Sequence, residues 1–379
     1  MSQIEFIGIA ATQEVSETTA PTTGPNQVDG IAAQTEAGSP VGAVVNPHYV
    51  EALARAHEGS GFDRVLIAHT SAMPDGFVVA DQILSRTERL GVLLAHRPGF
   101  LAPTLAARSY ATLDAFHPGR VAMHVITGGD DVDQQRDGDF ADKATRYART
   151  DDFLTVVRQE WESETPFDHE GDFYRVKGGW SSVRPATPIP VYFGGASEDA
   201  IRVGGKHADV YAFWGEPLEG IRERIRQVRA AAAPYERDTR FSVSLRPIVA
   251  DTEEEAWARA EAILAKTEQR WDTTRRTFGL DSQNAEGSQR LLKYAAEGDV
   301  HDKRLWTAIA KVTGATGNST ALVGSYEQVA ESLLDYVDLG VSTLLIRGFE
   351  PLADAYRYGR LISLVRAGTA GRRPVSVPA

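Results

Sequence analysis

Short, continuous apolar runs recur along the chain, and a segment with helical periodicity follows each of them. The runs are EFIGIA (5–10), RVLIAH (64–69), GVLLAH (91–96), RVAMHVI (120–126), PVYFGG (190–195), DVYAFW (209–214), RFSVSLRPIV (240–249) and STLLIRG (342–348). There are eight, and most are unbroken rather than alternating, which is the pattern of strands buried on both faces. Helical patterns separate them: PHYVEALARAHEGSG (47–61), DGFVVADQILSRTERL (75–90), PTLAARSYATLDAF (103–116), ATRYARTDDFLTVVRQEWE (144–162), PLEGIRERIRQVRAAAA (217–233), TEEEAWARAEAILAK (252–266), SYEQVAESLLDYVDLG (325–340) and PLADAYRYGRLISLVRAG (351–368). Asn46 before Pro47 is a good N-cap and first-turn pair. Eight β/α units predict an α/β fold of the closed (β/α)8 TIM-barrel type. An open doubly wound sheet is the alternative, but no GxGxxG follows a strand and no GxxxxGK[ST] occurs.

Two segments break the rhythm. Residues 11–46 are rich in Thr, Ala, Gly and Pro, and residues 271–323 are polar and contain TGATGNST (313–320). Long insertions in compact domains are functional lids or disordered segments. The expected organisation is therefore one barrel domain over 1–367, with an insertion at 11–46 after strand 1. A lid insertion at 271–323 lies between helix 7 and strand 8, and a flexible tail follows at 368–379.

Composition narrows the function. Forty basic against 52 acidic residues give a net charge of −12, which argues against nucleic acid and against anionic membranes. Cysteine is absent, which excludes disulfides, thiolate metal sites and thiol nucleophiles. The start, MSQIEFIGIAA, lacks the basic and apolar regions of a signal peptide, and no apolar stretch approaches ~20 residues. The expected location is cytoplasmic.

In a barrel, residues just past each strand line the active site. Those positions hold His69; His96 and Arg97; His124 and Thr127; the stretch GGAS (194–197); Trp214; Arg246; and Arg347. Arginine suits bidentate recognition of oxyanions, so Arg97, Arg246 and Arg347 in an acidic chain suggest an anionic small ligand; pairing with neighbouring carboxylates is the plainer reading of each. A strand-end histidine is as readily a barrel residue as a catalyst. No HxH or HExxH occurs, and GGDDVDQQRDGD (128–139) lacks the register of a calcium loop, so no metal is expected. GGAS opening a helix makes an N-terminus with exposed N–H groups, a cradle for phosphate. An ordinary turn capped by Ser197 fits the same residues.

The blocks LAHRPGFLAPTLAARSYATLDAFHPGRVAMHVITGGD (94–130), TRYARTDDF (145–153), PVYFGGASEDA (190–200), ADVYAFWGEP (208–217), TALVG (320–324) and LGVSTLLIRGFEPLADAYRYG (339–359) together resemble the bacterial luciferase-like flavin monooxygenase superfamily, and within it the alkanesulfonate monooxygenase branch. The resemblance covers roughly residues 47–366 and strand 1. It implies a TIM barrel that takes reduced FMN (FMNH2) from a separate NAD(P)H-dependent flavin reductase and uses O2 as co-substrate. The reaction cleaves a carbon–sulfur bond to give sulfite and an aldehyde. It also implies a homodimer or homotetramer. Carried over by position, the flavin phosphate sits on Gly195, Ala196 and Ser197 with Tyr147, while His124 and Thr127 lie beside the flavin ring. Trp214 faces the reacting centre, and His69, Arg97, Arg246 and Arg347 complete the candidate catalytic set.

Departures from the branch pattern bear on the substrate. Ser244 and Arg246 stand where the branch has Arg-x-His. Phe349 and Pro351 stand where it has Tyr-x-His, with Arg347 two residues before Phe349. Asn318 and Ser319 replace the mobile-loop arginine, Met73 lies where a cysteine is common, and the histidine after strand 1 is missing. The cationic lining is rebuilt rather than erased. That keeps a small anionic organosulfur substrate and widens its range to a larger polar sulfonate such as sulfoquinovose, a sulfone or another anion. An F420-dependent oxidoreductase and a non-catalytic flavin-binding protein are the other readings.

Overall fold

The computed structural model describes residues 4–13, 45–278, 285–315 and 319–369. Eight parallel strands close into a barrel: β1 (Glu5–Ile9), β2 (Arg64–Ile67), β3 (Gly91–His96), β4 (Val121–Val125), β7 (Val191–Gly194), β8 (Val210–Trp214), β9 (Arg240–Ala250) and β13 (Val341–Ile346). Each pairs with the next in that order, β8 pairs with β9, and β13 returns to β1. All eight match the apolar runs expected to form strands.

Helices cover the outside: α1 (Pro47–Gly59), α2 (Gly76–Arg86), α3 (Pro103–Phe116), α4 (Asp131–Arg136), α5 (Lys143–Glu162), α6 (Glu198–His207), α7 (Leu218–Ala232), α8 (Glu253–Phe278), α11 (Tyr326–Asp338) and α12 (Pro351–Thr369). The starts follow local chemistry. Asn46, Asp75, Asp142, Ser197 and Ser325 each accept a backbone N–H of the first turn, removing unsatisfied donors. The helix expected over 252–266 continues to Phe278.

Alternation along the strands divides the core in two. Odd residues of β7 and β8 (Phe193, Tyr211, Phe213) and Phe241, Val243 and Leu245 of β9 pack outward against the helices. Ile7, Leu93, Ala122, Tyr192, Val210 and Leu345 form a separate apolar cluster drawn from six strands, which places them inside the barrel. Its floor is polar. Glu5 of β1 accepts from Arg64 Nε at 2.9 Å, from Thr343 Oγ1 at 3.0 Å and from the Tyr192 hydroxyl on the opposite wall. Continuing upward on the inward parity come Ala95, His124, Gly194, Ala212, Ser242, Ser244, Trp214 and Arg246. Most of these are small, so the upper barrel stays open while the lower barrel is filled.

Two regions carry structure that the apolar runs do not announce. Between α5 and β7 lies a hairpin, β5 (Phe167–Glu170) and β6 (Arg175–Gly179). The 271–323 segment holds α9 (Glu286–Glu297), β10 (Val300–His301), β11 (Leu305–Trp306), α10 (Ala308–Thr313) and the start of β12 (Ala321–Ser325). β12 pairs in parallel with the upper half of β9. The described part of this insertion is therefore packed structure, not an extended polar loop. Residues 279–284, 316–318, 14–44 and the tail from 370 lie outside the described residues, and with them most of the expected 11–46 insertion. Among the described residues, no helix is long and apolar enough to cross a membrane.

Replacing Glu5 by Ala strands the Tyr192 hydroxyl and the Arg64 guanidinium beneath the barrel. The expected cost is about 2–4 kcal/mol, read as a lowered urea midpoint with an unchanged denaturant slope. A shift below ~0.5 kcal/mol contradicts this account of the floor.

Candidate active site

The C-terminal ends of the strands build four walls. The first is the loop after β7. Gly195 has φ 151°, a conformation that L side chains rarely adopt. A Cβ there would lie 2.5 Å from the Ala200 Cβ and 3.2 Å from the Tyr147 hydroxyl. So the second glycine is required twice, by its backbone angle and by the close approach of α6 and Tyr147. Ser197 caps α6, its hydroxyl accepting from Ala200 N at 3.3 Å. Beneath the loop, Arg224 of α7 donates to the carbonyls of Gly195 and of Ala196, the latter at 2.9 Å. The Tyr211 hydroxyl also donates to Gly195 O, at 3.0 Å. Tyr147 is 4% exposed.

The second wall follows β8. Trp214 packs against Leu291, Ala310 and Ala315 of the insertion, and a Cβ on Gly287 would lie 3.1 Å from its ring. Glu216 receives both Arg290 Nε and Nη2, at 2.8 and 2.6 Å, a part-buried two-point clamp of the kind arginine makes with carboxylate. Across the mouth, Ala285 Cβ lies 3.9 Å from the Cβ position of Gly129, in the loop after β4. Helix α9 thus starts beside the β4 loop and is fixed on the β8 loop, and β7 lies between those two strands.

The third wall joins β9 and β13. Arg246 is 2% exposed, donates to Gly348 O at 3.2 Å and lies 4.7 Å over the Phe349 ring. Arg347 is also buried, its N–H donating to Leu245 O. Asp354, in the first turn of α12, accepts the N–H groups of Phe349 and Glu350 at 2.8 and 2.9 Å and binds Arg259 at 2.5 Å. That holds the loop after Arg347 in place. Strand-end reading brings Arg246 and Arg347 together here, and misses Asp354 because its partners lie in other elements.

The fourth wall comprises the ends of β2, β3 and β4. Arg97 is buried in an ion pair with Asp133 and reaches Asp137 at 3.4 Å. It has the structural partners that the plainer reading of a strand-end arginine requires. Burial raises the Asp133 carboxyl, but Ser71 and Arg97 outweigh it and hold it below the usual range. Half-buried His69 lies beside this cluster. Burial, then the nearby Arg97, lowers its pKa. His96 turns outward and stacks on Phe153, ring centres 5.1 Å apart, a core position behind the wall. His124 keeps the inward parity, and burial lowers it to about 4. Thr127 is buried just above it. Among the described residues, no group meets His69 Nε2 or His124 Nδ1. Burial disfavours the charged form of both rings, and each retains a polar nitrogen with no partner among the described residues.

Among the described residues, no cluster of three or more His, Asp or Glu side chains forms a metal site. An organic ligand is better suited: polar nitrogens without partners, a glycine-lined loop at a helix start, and two buried arginines face one barrel mouth.

Comparison with known proteins agrees. The family profile for luciferase-like monooxygenases matches residues 28–343. The chain belongs to the luciferase-like monooxygenase family. Solved structures share its fold. A riboflavin lyase (RcaE) bound to modified FMN and riboflavin aligns at TM-score 0.76 and 19% identity, over 98% of this chain and 93% of its own. The EDTA monooxygenase EmoA of Chelativorans sp. BNC1 aligns at 0.71 and 18%, over 99% and 96%. An F420-dependent secondary alcohol dehydrogenase aligns at 0.66 and 16%, over 96% and 99%. Family membership makes the chain a luciferase-like (β/α)8 barrel of the monooxygenase type.

Three buried histidines, His57, His96 and His124, set an acid limit on stability. Burial lowers His57, whose ring fills the space over Gly8, to about 4, and lowers His96 to about 3. In the unfolded chain all three titrate near 6.5. Below that pH the unfolded state takes up protons that the native state refuses, so stability rises with pH through this window and falls as pH drops. Between about pH 6 and 4.5, before most carboxylates titrate, each histidine removes up to about 1.4 kcal/mol per pH unit. Urea unfolding across this range should show the slope, and His96→Gln should flatten it. An unchanged slope in the variant means that His96 does not titrate differently on folding.

Proposed function

We propose that this protein is a two-component FMNH2-dependent monooxygenase acting on an anionic organosulfonate and releasing sulfite and an aldehyde. The observation that carries the reading is the arrangement around one mouth. A glycine loop with free N–H groups is held at the start of α6, and Arg246 and Arg347 lie on the far side. The site residues fit a phosphorylated flavin. The N–H groups of Ala196 and Ser197 donate to no acceptor among the described residues, and the unpartnered His124 Nδ1 stands at the inward position that the family resemblance puts beside the ring.

When bound, reduced FMN supplies the two electrons for the reaction with O2; one oxygen ends in the aldehyde and the other in water, as the C–S bond breaks and sulfite leaves. The chain's own residues do the rest. Ala196 and Ser197, with Tyr147, hold the phosphate. Arg246 and Arg347 bind the sulfonate, orient the C–S bond and stabilise negative charge on the departing sulfite. Trp214 and α9 keep water from the mouth. A separate NAD(P)H-dependent reductase supplies the reduced cofactor.

A second reading has a specific observation behind it. An F420-dependent dehydrogenase shares the fold, and a phosphate cradle serves any phosphorylated deazaflavin. That reading requires tight F420 binding and turnover without O2.

The test is sulfite release from a panel running from methanesulfonate to sulfoquinovose, with FMN, NADH, O2 and a flavin reductase. Sulfite that depends on the protein, the reductase and one substrate supports the reading. No sulfite with any substrate rejects desulfonation and directs attention to F420 and to sulfones. With the active substrate, Arg246→Ala should lower kcat/KM about 100-fold or more and leave the FMNH2 dissociation constant within about twofold. Equal loss of both, or of neither, contradicts a substrate-binding role.

A further inference from the structure

We propose that Arg224, on an outer helix, is the residue that sets the GGAS loop in its anion-binding form and thereby selects phosphorylated over unphosphorylated flavin; this rests on the flavin reading above. The inference follows from peptide geometry. In a planar trans peptide, the C=O of one residue and the N–H of the next point in opposite directions. Arg224 captures the carbonyls of Gly195 and Ala196, the latter at 2.9 Å, and Tyr211 adds a third donor to Gly195 O at 3.0 Å. With both carbonyls drawn down toward α7, the N–H groups of Ala196 and Ser197 are turned to the opposite side. Neither finds an acceptor among the described residues. The next N–H groups, of Glu198 and Asp199, belong to the first turn of α6, where they have no partner within the helix.

Arg224 is 3% exposed and lies 5.7 Å over the Phe213 ring. Such a side chain is not adapted to solvent. Its charge acts through the two carbonyls, and donors joined in series polarise one another in a low-dielectric interior. Arg224 touches no ligand in this account; it is a positioning residue.

The test is anaerobic titration of the full-length protein with reduced FMN and with reduced riboflavin, followed by tryptophan fluorescence. Wild type should prefer FMN by about 30-fold or more. Arg224→Met should cut that preference about tenfold and leave riboflavin binding within about twofold. Arg224→Lys should fall between the two, and Tyr211→Phe should cut the preference about threefold, since one of three donors is lost. An unchanged FMN-to-riboflavin ratio in Arg224→Met, or equal weakening for both ligands, overturns the role of Arg224 and leaves the flavin reading in place. If Arg224→Met does not fold, an unchanged ratio in both Arg224→Lys and Tyr211→Phe overturns it in the same way. A wild type that binds neither flavin, or both equally, removes the phosphate reading and the inference with it.

Discussion

Strand β9 serves two sheets at once, and the active-site mouth depends on that division. Its lower half pairs with β8 on one side and β13 on the other and closes the barrel. The last pairing with β8 joins Ser244 to Trp214, and the first with β12, along the same edge, joins Arg246 to Ala321. Arg246 is thus the residue at the fork, where the backbone leaves one partner for the next. A closed barrel has no free edge, so extra sheet can be added only where a strand outlives its neighbour. That is how the insertion gains a rigid root: β12, β11 and β10 continue outward from β9, and α9 and α10 are carried with them.

From that root, two contacts fix the insertion over the mouth. In the Glu216–Arg290 clamp Glu216 is buried and Arg290 part-buried, and the two-point geometry offsets the desolvation of the carboxylate. Trp214 supplies the apolar half of the same junction. The barrel floor is sealed by the Glu5–Tyr192–Thr343–Arg64 network, and the middle by the Ile7–Leu93–Tyr192 layer. Only the upper barrel, lined by Gly194, Ala212, Ser242 and Ser244, has inward side chains too small to fill it. Among the described residues, the unfilled part of the barrel is therefore its top.

Much of this was legible in the order of residues. Continuous apolar runs marked all eight barrel strands, because a parallel strand is dry on both faces. The hairpin at 167–179 escaped because its residues are half-exposed or exposed and it carries no apolar run. The fork was invisible for a different reason: RFSVSLRPIVA reads as one strand, and nothing local says that its halves have different partners. Site residues divide similarly. The GGAS glycines were readable, since only glycine meets both the φ of 195 and the contact with Ala200. That Arg97 pairs with Asp133 was not, as 36 positions separate them. Arg224 left a trace that could have been used. It lies on the buried stripe Ile221, Arg224, Ile225, Val228, and a guanidinium on an apolar helix face needs an acceptor inside the protein.

The chain's net charge of −12 and the two buried arginines at the mouth, Arg246 and Arg347, are compatible because they act over different distances. Surface charges are screened beyond about 8 Å at physiological ionic strength, so acidic side chains around the barrel contribute little at its axis. Arg246 and Arg347, by contrast, are buried, where screening is weak and each unit of charge counts for more. Arg224, under the GGAS loop, is held by the backbone carbonyls of Gly195 and Ala196. A carbonyl orients a guanidinium without cancelling its charge, whereas a carboxylate, as Asp133 does for Arg97, orients it and neutralises it.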